Sequence, residues 1–408
     1  MNNKWTRAAI PALLIHCSIG SVYCWSSFSA KLASQTGTST SVIGWAFSLA
    51  IFFLGMSAAF TGRFVEKDIH RASLISCICF TAGMFGTGLC IQFSNQLGLV
   101  GTVVGIFIFY GCVMGIGLGI GYLTPVKTLM LWFKDNKGLG TGISIMGFGL
   151  AKAIASPVMN VLQDKAGLAP MFYILGGIYF VMMLVGHFLL KKPDGWAEPV
   201  EKVRSNPFAI FKNRVFIGIW IMFYINITCG LALISYEKYI LKGIGMGLVA
   251  ISAVQVATAA ANAVGRIGFS TVSDYCKDRN TVYKIILGMS MIITAIAFGT
   301  SSISNGIAAV VVTLLILINL GYGGGFSTLP ALLSSRFGMS RISEIHGVSL
   351  SAWAIAGLTG NQIAAAVQGK TGNYESVLLV LIILYAIAML ASFLLVRSGK
   401  GSSAAEEK

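Results

Sequence analysis

The sequence predicts an all-α membrane protein: twelve transmembrane helices in two six-helix halves, with both termini in the cytoplasm. Three observations carry this. Charged residues are 11% of the 408 and hydrophobic residues 56%, whereas a soluble domain carries roughly 25% charged residues. Apolar runs of about 20 residues, each long enough to cross a bilayer as a helix, recur along the whole chain. The formal net charge is +15, but the Lys and Arg residues sit between the apolar runs and do not gather in a patch. That distribution points to the positive-inside rule and away from a nucleic-acid partner. Mean hydropathy is +0.80, which excludes a soluble enzyme and a disordered chain.

Each span follows from its apolar run. The first six are expected at about Ala8–Phe28, Ser41–Phe60, Ala72–Phe93, Leu99–Trp132, Gly138–Leu162 and Met171–Leu190. The second six are expected at about Val215–Ser235, Met246–Val272, Val282–Ser302, Ile307–Leu333, His346–Gln368 and Val377–Val396. The expected organisation is an N-terminal bundle over 1–190, a cytoplasmic linker over 191–214, a C-terminal bundle over 215–397 and a cytoplasmic tail over 398–408. The linker carries Pro193, Pro199 and Pro207 with mixed charge. MNNKWTR runs straight into the first apolar segment without a cleavage site, so it is read as a retained helix.

Topology is expected from charge counting. With the N-terminus in the cytoplasm, 21 Lys and Arg fall on the cytoplasmic side and 5 on the other, while Lys127, Lys152 and Arg266 lie within spans. The eight cysteines form no CxxC pair; they read as small core hydrophobes. No metal or cofactor is expected.

The two halves repeat. Gly62-Arg-Phe-Val-Glu-Lys-Asp68 follows the second span, and Gly268-Phe-Ser-Thr-Val-Ser-Asp274 follows the eighth. Gly62 and Asp68 match at an offset of 206, and Arg71 then meets Lys277. Gly121-Tyr122…Phe133 and Gly325-Phe326…Phe337 match at an offset of 204. Two such halves describe a major facilitator transporter. That superfamily has a G-x-x-x-D-R-x-G-R-R-like motif after the second and eighth spans, which residues 62–71 resemble in degenerate form. The implied role is a gate latch, in which an Asp receives a helix end and a basic partner. Gly62, Asp68, Arg71 and Asp274 are its expected residues.

Three strings point further: Gly20-Ser-Val-Tyr-Cys-Trp25; Trp132-Phe133-Lys-Asp-Asn-Lys-Gly138-Leu-Gly-Thr-Gly142; and Asn262-Ala-Val-Gly265-Arg266 leading to Ser273-Asp274. Over nearly the full chain they resemble the oxalate/formate antiporter family, related to bacterial and animal monocarboxylate transporters. The resemblance implies a small carboxylate substrate, and aromatic residues at Tyr23, Tyr122, Phe148, Tyr322 and Phe326 lining its site. It also implies a lysine, in oxalate-exchanging members, at the position held here by Trp353. Two opposed cations suit a dianion and one suits a monoanion, so Trp353 points away from oxalate.

The residues argue for an anion independently. Arg266 lies inside the eighth span, where a charge is costly and functional by default. It cannot be neutralised by losing its proton. All 14 acids lie in loops, tails or span ends, so a substrate carboxylate held by a bidentate fork is the expected partner; a pair with Asp274 is the structural alternative. Asn262, four residues earlier, shares the face of Arg266. It replaces an Asp that takes part in proton coupling in some monocarboxylate transporters. Lys152 in the fifth span is a candidate second charge, and Lys127 is expected to snorkel to the interface. His16 shares a face with Tyr23 and is a candidate proton carrier.

The expected function is therefore a secondary transporter of small carboxylates, with monocarboxylates such as lactate, pyruvate or formate favoured. It would work by alternating access, as anion exchange or proton-linked symport. The expected partners are the substrate, protons or a counter-anion, and the lipid bilayer; the expected setting is a bacterial cell membrane, with the protein as a monomer. The alternatives are an oxalate/formate exchanger using Lys152 as second cation, a non-transporting carboxylate sensor, and a cation or drug exporter, against which the lack of a midspan acid speaks.

Overall fold

In a computed structural model the described residues, which are 3–196, 206–234, 236–301, 307–371 and 375–396, form helices joined by short turns and loops. Residues 197–205 of the linker and the 398–408 tail lie outside them. In chain order the spans are α1 (Trp5–Thr36), α2 (Thr40–Lys67), α3 (Ile69–Gln92), α4 (Ser94–Trp132), α5 (Lys137–Lys165), α6 (Leu168–Leu189), α7 (Arg214–Ile234), α8 (Leu248–Tyr275), α9 (Asn280–Thr300) and α10 (Ile307–Phe337). They continue with α11 (Ile342–Ser349 and Ser351–Thr371) and α12 (Glu375–Leu394). Eleven of these are long and apolar enough to cross a membrane. The other is α11, broken at Leu350, whose N–H reaches the carbonyls of both His346 (3.1 Å) and Gly347 (3.0 Å). It begins a turn before the expected start at His346.

Local chemistry sets the ends. Gly37 closes α1 in the left-handed conformation, with φ 73°, which glycine adopts without steric cost. Ser39 caps α2 by accepting from the Val42 N–H at 3.2 Å, and Asp68 caps α3 by accepting from the Arg71 N–H at 2.9 Å. Each cap satisfies a donor that the helix start would otherwise orphan. Outward faces keep large apolar side chains, among them Phe188 and Leu390, in the open; hydrocarbon, unlike water, accepts them.

The described residues fall into two compact units. One is drawn from Met1–Val200 with Ser343–Leu358, the other from Glu201–Ile342 with Thr359–Lys408. The first part of α11 thus packs with the N-terminal helices.

Within the first unit, α1 is not a uniform helix. Gly20–Cys24 winds as a 3-10 turn between two α-helical stretches, and Tyr23 sits on that turn. In the second unit, α8 and α10 approach backbone to backbone. A methyl group at Gly265 would strike the Leu320 carbonyl, and one at Gly323 would strike the Asn262 carbonyl. Small residues at such crossings let helices approach closely in lipid, where dispersion replaces the hydrophobic drive. This crossing brings Arg266 of α8 against Phe326 of α10.

Gly323→Val should therefore lower the melting temperature of the detergent-solubilised protein, by the equivalent of about 1–3 kcal/mol, the usual cost of overpacking. Gly177→Ala on α6, where nothing lies near the added carbon, should melt at or above wild type because alanine is the better helix former.

Candidate functional site

The candidate residues form two clusters and one charged network. In the second unit, Arg266 is almost fully buried, at 1% exposure. Its Nε–H donates to Asn262 Oδ1 at 2.9 Å, and the guanidinium carbon stands 5.3 Å from the centre of the Phe326 ring. Tyr322 lies one turn before Phe326, with ring centres 5.1 Å apart. Thus Asn262, Arg266, Tyr322 and Phe326 come together. Asn262 fixes the plane of the guanidinium, and Phe326 offers its negative ring face to the cation. Asp274, the structural alternative for Arg266, pairs with Arg279 at 2.8 Å and stands eight residues, about 12 Å, further along α8.

In the first unit, four other candidates converge. Phe148 of α5 is the hub. Its ring meets Tyr23 (5.2 Å), Tyr122 (5.7 Å) and Trp353 (5.7 Å) edge-on. Trp353 also meets Tyr122 at 5.5 Å. Edge-to-face packing satisfies the ring quadrupoles, so the group is rigid as well as apolar. His16 joins it, stacked on Tyr122 at 5.3 Å. Sequence spacing places His16 and Tyr23 on one face, and both reach Phe148 despite the 3-10 turn between them. Lys152, one turn beyond Phe148, is half-buried, and has no acid at ion-pair distance among the described residues.

The residues expected to form a latch meet differently from that expectation. Asp68 does not receive a distant helix end; it caps its own helix and pairs locally with Arg71 at 3.2 Å. Glu66 takes the longer role. One carboxylate oxygen forms an ion pair with Lys127 Nζ, and the other accepts the Ser343 N–H at the start of α11, at 2.8 Å. Lys192 donates to the Glu66 carbonyl at 3.3 Å. Beside them Arg63 pairs with Glu344 at 2.9 Å, and Gly62 packs against the backbone of Ser343 and Glu344. A helix N-terminus attracts negative charge, so Glu66 is doubly matched. Lys127 is corrected with it: at 2% exposure it does not snorkel but turns inward to Glu66. The signal was in the sequence. Glu66 stands four residues after Gly62, where G-x-x-x-D carries its acid. Asp68, by contrast, is the acid that repeats in the second half, as Asp274.

The comparisons with known proteins now bear on this geometry. Residues 12–361 match the Major Facilitator Superfamily. The chain belongs to that superfamily. It is a multi-pass membrane transporter and not an enzyme. It is 22% identical to the oxalate:formate antiporter of Oxalobacter formigenes over 404 residues, covering 98% of this chain and 93% of that one. It is 25% identical to the transporter YhjX of Escherichia coli, over 83% and 82% of the two chains. It is 25% identical to rat monocarboxylate transporter 4 over 43% of this chain and 45% of the relative. Among solved structures, a bacterial homologue of ferroportin in its outward-facing state superposes with a TM-score of 0.75 at 13% identity, over 94% of this chain and 97% of that one. That likeness shows the fold alone.

Removing one partner of a buried ion pair leaves an uncompensated charge, at a cost of about 3–5 kcal/mol. Glu66→Gln and Lys127→Met should each lower the melting temperature strongly, and the double substitution should lower it less than the sum of the two. Asp68→Ala should cost only the about 0.5–2 kcal/mol of a helix cap. A double-mutant cycle on thermal unfolding reads all four chains.

Proposed function

We propose that this transporter carries small carboxylate anions across a bacterial cell membrane, with monocarboxylates preferred, by alternating access. The observation that carries the reading is Arg266: a permanently charged guanidinium, buried inside α8, oriented by Asn262 and backed by Phe326. Such a charge stays in a membrane span at a cost, and a planar fork matches a carboxylate better than any other small anion class except phosphate. The relatives named for oxalate, formate and monocarboxylate transport support the same class.

Each other residue has a role in this reading. Asn262 aligns the guanidinium, and Tyr322 offers a hydroxyl, a donor that adds no charge. The aromatic group of Tyr23, Tyr122, Phe148 and Trp353 sets the size of the acyl stem that is accepted. Glu66, with Lys127 and the start of α11, holds the latch. A cation exporter is disfavoured because the buried site charge is positive, and a sensor would show binding without counterflow. Oxalate/formate exchange is the second reading; the half-buried Lys152, without an acid partner among the described residues, favours it.

The test is counterflow in proteoliposomes loaded in turn with lactate, pyruvate, formate or oxalate. A monocarboxylate should exchange fastest, and Arg266→Gln should reduce that exchange by at least about a hundredfold, the scale of losing a charged hydrogen-bonding partner of about 3 kcal/mol. Exchange by Arg266→Gln at the wild-type rate would sink the reading. Trp353→Lys should shift preference toward oxalate by supplying a second cation. If wild type already prefers oxalate and Lys152→Met abolishes it, the second reading holds.

A further inference from the structure

Two imidazoles that the carboxylate reading does not use meet where α3 begins and α6 ends. His70 stands in the first turn of α3 and His187 in the last turn of α6. Their ring centres are 5.5 Å apart and their planes lie at 89°. The two helices run antiparallel and are tied along their length. The Cys77 thiol donates to the Phe180 carbonyl at 3.7 Å, and near the other end Tyr173 donates to Gln92 Oε1 at 2.6 Å. That frame fixes the spacing of the histidine pair.

A short hydrogen-bond chain sets the state of His187. The Ser73 hydroxyl donates to the His70 carbonyl at 2.9 Å and lies 2.7 Å from His187 Nδ1. A hydroxyl has one proton to give. With that proton on the carbonyl, the hydroxyl oxygen offers Nδ1 a lone pair, so Nδ1 carries the ring proton. The His70 carbonyl is a second acceptor against the same ring. Nε2 is left with the lone pair. An imidazole that donates from one nitrogen to a held acceptor, and keeps a lone pair on the other, is in the state of a metal ligand. Phe188 packs against the His187 ring with centres 5.0 Å apart and brings no competing donor. His70 is exposed, so its ring is free to turn among rotamers and the pair is open to water.

We propose that His70 and His187 bind a divalent metal of the zinc and copper class, which staples α3 to α6. Imidazole suits these metals, whereas magnesium and calcium take oxygen ligands. Zn–N bonds of about 2.0–2.1 Å in a tetrahedral shell place two ring centres about 5 Å apart, close to the spacing already present. No group of three His, Cys, Asp or Glu occurs among the described residues, so water completes the shell. The basic neighbours are matched: Arg71 pairs with Asp68 at 3.2 Å and Lys191 with Asp194 at 2.9 Å. Asp68 also offsets the positive helix end beside His70, and the last carbonyls of α6 favour a cation beside His187. The proposal does not depend on what the protein carries.

The experiment titrates Zn2+ into tag-free, full-length protein in nanodiscs by calorimetry, at about pH 7.5, where unperturbed imidazole is mostly neutral. One Zn2+ should bind per chain, and Mg2+ should not replace it. His70→Ala changes an exposed side chain and keeps the fold; it should weaken Zn2+ binding at least about tenfold. Ser73→Ala should weaken it about 10–100-fold, the usual cost of losing a partner that orients a metal-binding histidine. Zn2+ at about a hundred times its dissociation constant should raise the melting temperature of wild type and leave that of His70→Ala in place. Wild type is also read without any substitution: one Cu2+ per chain, on protein labelled with 15N-histidine, should show two coupled imidazole nitrogens in pulsed electron paramagnetic resonance. Equal Zn2+ affinity in wild type and His70→Ala overturns the proposal, because the metal then sits on other groups, such as the cysteines. So does a wild type that binds no Zn2+ below about 1 mM, or a Cu2+ signal with a single imidazole nitrogen.

Discussion

A charge that cannot be discharged sits inside a membrane span, and the second unit is organised around that constraint. Arg266 cannot lose its proton, and hydrocarbon offers nothing to solvate it. The fold answers with three kinds of partner. Asn262 supplies an oxygen on the same helix face, Phe326 supplies a ring face from the facing helix, and the Gly265 and Gly323 crossing lets that helix come near enough to do so. A side chain at either glycine would push Phe326 away from the guanidinium. The packing of α8 on α10 and the electrostatics of Arg266 are thus one feature.

The first unit solves the opposite problem. Lys127 is matched with Glu66 and Arg63 with Glu344, Lys152 stands half-buried one turn beyond Phe148, and the interior around Phe148 is aromatic, with two imidazoles on the Tyr122 ring. Rings packed edge to face hold one another at fixed angles, so Tyr122 cannot shift without disturbing Phe148, Trp353 and both histidines. The His16 ring nitrogens meet backbone carbonyls of two different helices, Tyr122 of α4 and Ser144 of α5. The two units therefore differ on a common architecture: a buried guanidinium against one ring in the second, an edge-to-face aromatic group in the first.

Much of this was legible in the sequence. Apolar run length gave the helices, because in lipid only a self-satisfied helix or a closed barrel survives. Arg266 and Asn262 were legible through spacing, since four residues return to the same face. The aromatic residues were legible only through resemblance, because a ring in a span is more often packing than ligand. The place of Glu66, four residues after Gly62, was legible in the motif, but its partner is 61 positions away on another helix, and no periodicity reports such a meeting. The membership of Ser343–Leu358 in the first unit was also hidden, for the same reason: packing across nearly 300 positions leaves no local mark. His346 went unread because a lone histidine gives no sign of which ring it will touch.

The reach of Glu66 has a consequence for how the protein is made. Its second acceptor oxygen waits for the Ser343 amide, 277 residues later in the chain. Chains emerge from the ribosome at about 5–20 residues per second, so that amide follows Glu66 by roughly 14–55 s. Lys127 follows Glu66 by only 61 residues, so it is present for most of that interval. The N-terminal helices must therefore enter the bilayer and wait with an incomplete polar core while six further helices are threaded. Until the Ser343 amide arrives, Lys127 is the partner Glu66 can hold.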